Sequence, residues 1–157
     1  LTEKIIKQIE NKGAKILKVE LRVGWGTFAP IIEENIEDHK IHEEYIHISA
    51  SVAEEINKAK ENGNDIWAFG TTVTRTLESS VKDGKVQAYS GTTNLYIYPG
   101  YEFKIVDHLI TNFHQPDSTL ILLVSTFAGI EEIKKLYNIA LDNDYKFLSY
   151  GDSMLII

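Results

Sequence analysis

Apolar positions recur at helical spacing in several stretches of the chain and alternate with polar ones in others. Over 2–11, Ile5, Ile6 and Ile9 share one face, with Thr2 placed to cap and Gly13 to stop, which predicts a surface helix. Over 15–23, Leu17, Val19, Leu21 and Val23 alternate with Lys18, Glu20 and Arg22, the signature of a half-buried strand. The glycines and proline of Gly24-Trp25-Gly26-Thr27-Phe28-Ala29-Pro30 end regular structure, an acidic loop follows, and a short alternating strand is predicted around 45–48. Ser51-Val52-Ala53-Glu54 fits a capping box for a helix that carries Ile56 and Ala59 and closes at Asn62-Gly63. The segment 65–70 reads as a buried strand through Ile66-Trp67-Ala68-Phe69, followed at once by a strand-to-helix turn at Gly70-Thr71-Thr72.

Beyond a turn at Asp83-Gly84, strands are predicted over 94–98 and 103–106, separated by Pro99-Gly100. A polar loop over 109–118 leads to Ser118, which caps an apolar helix that stops near Gly129. A second helix over 130–143 turns Ile133, Leu136, Tyr137 and Ala140 inward, and the tail reads as two short strands around Gly151-Asp152. There is no internal repeat. Strands alternating with helices predict an α/β fold, a barrel-like sheet of mixed, partly parallel strands with surrounding helices.

Composition narrows the class. With 43% hydrophobic and 25% charged residues, the chain has the make-up of one soluble globular domain able to bury a core. Its most apolar run, Leu120 to Val124, is far too short to span a bilayer. The absence of cysteine excludes disulfides and thiolate zinc sites and fits a reducing compartment. A net charge of -7 argues against a broad grip on phosphates, with acidic residues gathered at 33–44 and 142–144. The opening on Leu1, inside a helical pattern and without an initiator Met, suggests a piece of a longer protein.

Four connections carry residues that packing alone does not demand. Gly70-Thr71-Thr72 with Arg75 would offer an anion the free N–H groups of a helix start, two hydroxyls and, one turn on, a guanidinium; equally, a Thr caps the helix and Arg75 pairs with an acid. In Asp38-His39-Lys40-Ile41-His42-Glu43-Glu44-Tyr45-Ile46-His47, three histidines among acids leave three readings open: metal ligands, catalytic or substrate-positioning groups, and ordinary exposed histidines. Asp107-His108-Leu109-Ile110-Thr111-Asn112-Phe113-His114-Gln115-Pro116 gathers groups able to read a nucleobase edge, or to satisfy their own turns. Tyr150-Gly151-Asp152 makes a tight turn before Met154, a core residue.

Taken in order, these stretches resemble the ribosyltransferase-isomerase family of queuosine biosynthesis. The pieces are Val23-Gly24-Trp25-Gly26-Thr27-Phe28-Ala29-Pro30, His39-Lys40-Ile41-His42-Glu43-Glu44, Gly70-Thr71-Thr72-Val73-Thr74-Arg75-Thr76-Leu77-Glu78, Ile97-Tyr98-Pro99-Gly100-Tyr101, the run from Asp107 to Leu120, Phe127-Ala128-Gly129 and Ser149-Tyr150-Gly151-Asp152-Ser153-Met154. Together they cover nearly the whole chain. Trp25 stands where the family usually has Leu, Thr74 where it has Ser or Val, and Lys146 where it has Arg, the last removing a possible bidentate contact to an anion.

The resemblance implies that residues 1–157 are the C-terminal portion of an α/β catalytic domain, with the N-terminal half and a small β-barrel domain lying outside them. It implies transfer and isomerisation of the ribosyl part of S-adenosylmethionine onto 7-aminomethyl-7-deazaguanine at the tRNA wobble position, leaving epoxyqueuosine and releasing adenine and methionine. S-adenosylmethionine is then a co-substrate and no cofactor or metal is expected. The partners are tRNA carrying the precursor base and S-adenosylmethionine, with no membrane or protein partner, and the place is the cytoplasm.

Such chemistry needs a base for a carbon-bound proton beside the sulfonium, a proton for departing adenine and a free amine. On chemical grounds His42 and His114 are the preferred acid/base candidates, with His39 behind them and Glu44 to orient a histidine. Arg75 with Thr71 and Thr72 suits the methionine carboxylate, Asp107 and Asn112 a purine edge or ribose hydroxyls, and Phe113 or Tyr101 a stacked base. Two rival readings remain: a non-catalytic RNA- or nucleotide-binding domain, and a metal-dependent hydrolase built on His39, His42 and Glu44.

Overall fold

The computed structural model describes residues 2–24, 27 and 30–157. The helical start at Leu1, and the Trp25, Gly26, Phe28 and Ala29 of the glycine-rich loop, lie outside the described residues. Helix α1 (Glu3–Glu10) is capped by the Thr2 hydroxyl, which accepts from the Ile5 N–H, and none of its residues is buried. Strand β1 (Glu20–Arg22) is shorter than the alternating run around it. Strand β2 (Glu44–Ile48) buries Glu44, Ile46 and Ile48 and turns Tyr45 and His47 outward. Helix α2 (Ala50–Glu61) starts two residues before the expected box. Ser49 is its cap, its hydroxyl accepting from the Val52 N–H, while Ser51 falls in the first turn.

The chain continues through β3 (Trp67–Phe69), α3 (Thr71–Ser79), a hairpin of β4 (Val81–Lys82) and β5 (Lys85–Val86), β6 (Tyr89–Thr93), β7 (His108–Asn112), α4 (Thr119–Ala128), α5 (Ile130–Asp142) and β8 (Ser153–Ile156). Strands β1, β2 and β6 form an antiparallel sheet. In a second sheet β7 is central, parallel to β3 and antiparallel to β8. The expected mixed α/β character is present, but the described residues form separate small sheets and no closed barrel. The second sheet is covered on one face only. Ala68, Leu109, Thr111, Met154 and Ile156 are buried, whereas Trp67, Phe69 and Leu155 stand about half exposed, so the strand expected to be buried throughout is buried only at Ala68.

Four other expectations are corrected. The strand placed over 94–98 lies at Tyr89–Thr93. The segment 103–106, expected as a strand, joins no sheet, because a buried side chain takes its amides: Glu78 accepts from the N–H groups of Lys104, Ile105 and Val106 at 3.0 Å each, and from the Tyr101 hydroxyl at 2.9 Å. The polar loop expected from Leu109 begins instead as β7, whose inward residues are Leu109 and Thr111. In the tail only β8 is a strand. Before it the chain doubles back, with the Asp152 N–H donating to the Lys146 carbonyl at 2.7 Å and the Lys146 N–H to the Asp152 carboxylate at 2.7 Å. A Cβ at Gly151 would meet the Lys146 carbonyl oxygen at 2.2 Å, which explains the glycine in Tyr150-Gly151-Asp152.

Candidate functional site

The alternation of β2 places a carboxylate, Glu44, on the same inward face as Ile46 and Ile48, at 2% exposure. A buried charge persists only where donors surround it. Its Oε1 accepts from the Gly24 N–H at 2.8 Å and from the Thr27 hydroxyl, and its Oε2 accepts from Nη1 of Arg75. Arg75, itself 3% exposed, projects from α3 one turn after its start. Its Nε donates to the Leu95 carbonyl at 3.2 Å, while Nη2 is buried with no partner among the described residues. The same loop reaches α4: Pro30 forms a bridge with Ser118, and the Thr119 hydroxyl donates to the Thr27 carbonyl at 3.4 Å. Glu44 thus ties the loop after β1 to α3, and Thr27 ties it to the start of α4.

Helix α3 begins at Gly70, whose φ of 101° suits glycine and strains any other residue. No side chain caps it, so neither Thr71 nor Thr72 plays the capping role open to them. The Gly70 N–H donates to the Ile110 carbonyl at 2.8 Å, continuing the parallel β3–β7 pairing. Parallel pairing brings the carboxyl ends of both strands together, and with them Thr71, Thr72 and Asn112. The Asn112 amide donates to the Asp152 carbonyl at 3.1 Å.

The histidines occupy different settings. His39 follows a short 3-10 turn, Ile36–Asp38, that folds the acidic loop back so that its Nδ1 lies 2.9 Å from Glu33 Oε2. That bond holds the Glu33 carboxyl below the usual range. The His39 ring meets Tyr96 edge-on at 5.5 Å, and Tyr96 follows Leu95, the residue that holds Arg75. The Tyr96 hydroxyl is buried without a partner among the described residues, and burial together with Glu33 and Tyr98 pushes it up to about 12. His42 is exposed. His114 is buried, its Nε2 3.1 Å from the Thr111 hydroxyl and its N–H donating to the Tyr137 hydroxyl at 2.8 Å.

Burial pushes the His114 imidazole down from 6.5 to about 4. Between those values the unfolded chain binds a proton that the folded chain refuses, so stability declines as pH falls from about 6.5 to about 4 and is retained above. His114→Gln is expected to flatten the stability-against-pH curve in that window by about one proton, read from denaturation at a series of pH values.

The remaining candidates have structural partners. Asp107 sits at the opposite end of β7 from Asn112, pairing with Lys60 at 2.8 and 2.9 Å and accepting from the Ile66 N–H at 2.7 Å. Tyr101 donates to Glu78. Phe113, 5% exposed, packs edge-on against Tyr137 at 5.4 Å and, with its ring tilted, against Phe147 at 4.9 Å. Glu44 orients no histidine among the described residues; Glu33 does. The fold therefore joins Thr27, Glu44 and Arg75 by hydrogen bonds, and Glu33 to His39 by another; the two groups meet where Arg75 bonds Leu95 and the neighbouring Tyr96 ring touches His39, while Asp107 and His108 stay at the far end of the sheet. Among the described residues, no three or more His, Asp or Glu stand together as metal ligands. Thr27, Tyr96 and Glu33 were not singled out from the sequence; Thr27 lies within the glycine-rich motif, while Glu33 reads only as one member of an acidic run.

A family model described as queuosine biosynthesis protein matches residues 1–156. The chain belongs to this family. It is 50% identical over 157 residues to an S-adenosylmethionine:tRNA ribosyltransferase-isomerase of Caldanaerobacter subterraneus subsp. tengcongensis, the match covering 99% of the chain and 46% of that protein. A protein of the same name from Halothermothrix orenii is 48% identical over the same shares. The chain is also similar to the crystal structure of S-adenosylmethionine tRNA ribosyltransferase from Thermotoga maritima, with a TM-score of 0.82 and 37% identity over 99% of the chain and 50% of that structure. The chain spans about half the length of the curated queuosine family relatives it matches.

Proposed function

We propose that the full-length protein transfers and isomerises the ribosyl moiety of S-adenosylmethionine onto 7-aminomethyl-7-deazaguanine at the wobble position of tRNA, giving epoxyqueuosine and releasing adenine and methionine. The match to the queuosine family over residues 1–156 carries this reading. Residues 1–157 supply the C-terminal portion of its catalytic α/β domain, in the cytoplasm, and the missing part completes a barrel-like sheet and adds a small β-barrel domain. The half-exposed Trp67, Phe69 and Leu155 on one face of the second sheet agree with that completion.

The site chemistry supports the same reading. A sulfonium nucleoside presents a carboxylate, ribose hydroxyls and a purine. Among the described residues, one buried guanidinium nitrogen of Arg75 has no partner, close to an uncapped helix start bearing Thr71 and Thr72, which suits the carboxylate. Asn112 lies at the same end for a ribose or purine edge, with Tyr101, Phe113 and Asp107 bracing the surrounding segments. We assign proton transfer to His39 and exposed His42, while His114, driven neutral by burial, is suited to accept or donate a hydrogen bond without charging. S-adenosylmethionine acts as co-substrate, with no further cofactor. No helix among the described residues is long and apolar enough to cross a membrane.

The alternative is a domain that clamps RNA with the same loops without transforming it; a net charge of -7 argues against a broad grip on phosphate in either case, so adenine release is what separates the two. Incubating the full-length protein with S-adenosylmethionine and precursor-bearing tRNA is expected to release adenine in step with base modification. The 157-residue chain by itself is expected to turn over nothing, because half of the substrate wall and the outer sheet edges are incomplete. Tight tRNA binding without any adenine release by the full-length protein would favour the binding domain instead.

A further inference from the structure

Within the gathered site, Glu33 and His39 form a pair that no part of the sequence pattern singles out. Glu33 Oε2 receives both the Ile32 N–H at 3.1 Å and His39 Nδ1 at 2.9 Å, which holds the carboxylate in place at the surface end of the pair. An ionised carboxylate accepts only, so the ring nitrogen facing it must carry the hydrogen. The neutral imidazole is therefore fixed with its lone pair on Nε2. That nitrogen has no partner among the described residues and is not one of the buried orphaned atoms. The His39 side chain is 10% exposed, walled by the Tyr96 ring, so one edge of the imidazole is fixed by packing and the other stays open. A carboxylate that fixes a tautomer and then faces the cation formed on proton uptake is the usual partner of a histidine base.

We infer that Glu33 is a positioning residue that holds His39 as the Nδ1–H tautomer, so that Nε2 of His39 takes a proton from the bound substrate. This rests on the proposed ribosyl transfer. In the step, one proton passes from a substrate C–H or N–H to Nε2 and the bonding pair stays with the substrate atom. The resulting imidazolium is held against the Glu33 carboxylate until the proton returns to the leaving group. Glu44, committed to Arg75, Thr27 and Gly24, has no part in orienting this ring.

The test uses the full-length enzyme and adenine release. His39→Ala is expected to lower kcat by about 10²–10⁴-fold. Glu33→Gln is expected to lower kcat by roughly 10–100-fold with KM for S-adenosylmethionine changed less than about twofold, and Glu33→Asp to recover part of the loss. The double variant should be no slower than His39→Ala alone, since residues acting as a unit do not add. Independently of turnover, ring-nitrogen NMR shifts of neutral His39, assigned with His39→Ala, should report the Nδ1–H tautomer and lose that preference in Glu33→Gln. Near-normal kcat in Glu33→Gln, additive losses, or an Nε2–H tautomer in the unaltered enzyme would each overturn the pairing while leaving the proposed reaction intact. An unaltered enzyme that releases no adenine would overturn the reaction and this role of His39 together.

Discussion

Replacing Glu44 by Ala in the full-length protein is expected to cost about 3–5 kcal/mol of stability, read as a fall in the urea midpoint. The reason is what remains behind. Arg75 is 3% exposed and its Nη1 has Glu44 as its partner, while Nη2 already has none among the described residues, so the variant leaves a buried cation with a single hydrogen bond, from Nε to the Leu95 carbonyl. The Gly24 N–H and the Thr27 hydroxyl lose their acceptor at the same time, freeing the loop from β2. A double variant, Glu44→Leu with Arg75→Met, removes both charges. It is expected to recover most of the stability, because a buried ion pair contributes little over an apolar pair of similar volume. It should recover none of the adenine release, since Arg75 is the group proposed to meet a carboxylate. Equal stability of Glu44→Ala and the unaltered protein would mean that the pair is not buried as described.

The helices were legible in the sequence and the strands less so, for a common reason. Helix signals are local: Thr2, Ser118 and Gly129 mark ends within a few residues of the apolar stripe they bound, and α1, α4 and α5 lie where those marks place them. Strands depend on what lies across them. In β7 the inward Leu109 and Thr111 alternate with His108, Ile110 and Asn112 on a face without a second layer, and the mixed outer residues conceal the period of two. The segment 103–106 is mostly apolar and reads as a strand, yet its amides bond a glutamate 26 to 28 residues earlier instead of a neighbouring strand. The site follows the same rule. Arg75 and the α3 start were legible because a glycine, two threonines and an arginine stand within one turn. The partnership of Arg75 with Glu44 joins residues 31 apart, and the bond of Glu33 to His39 depends on a 3-10 turn inside an acidic run that reads as solvated charge.

Glu78 supports the other large expectation: Glu78→Gln should cost about 3–5 kcal/mol, as at least two hydrogen bonds to a charged acceptor are lost and buried N–H groups are left facing another donor. The unaltered carboxylate, 4% exposed, divides four donors evenly, with Ile105 and Val106 N–H on Oε1 and Lys104 N–H and the Tyr101 hydroxyl on Oε2. An amide offers one oxygen, so one pair of donors meets an NH2 group whichever way it turns. Tyr101→Phe removes a single donor and leaves the carboxylate its three amides, so its cost should be nearer 1 kcal/mol. Burial and the Glu78 charge both push the Tyr101 hydroxyl up and keep it a donor at neutral pH. The effect should also reach β7. The fastened segment runs into Asp107, and Asp107 bonds Lys60 of α2 and the Ile66 N–H ahead of β3, so releasing 104–106 loosens the entry to the central strand. Hydrogen exchange of Glu78→Gln is therefore expected to rise first at Ile105, Val106 and Leu109 and later in α5; uniform exchange across the chain would show that the glutamate does not fasten this segment in particular.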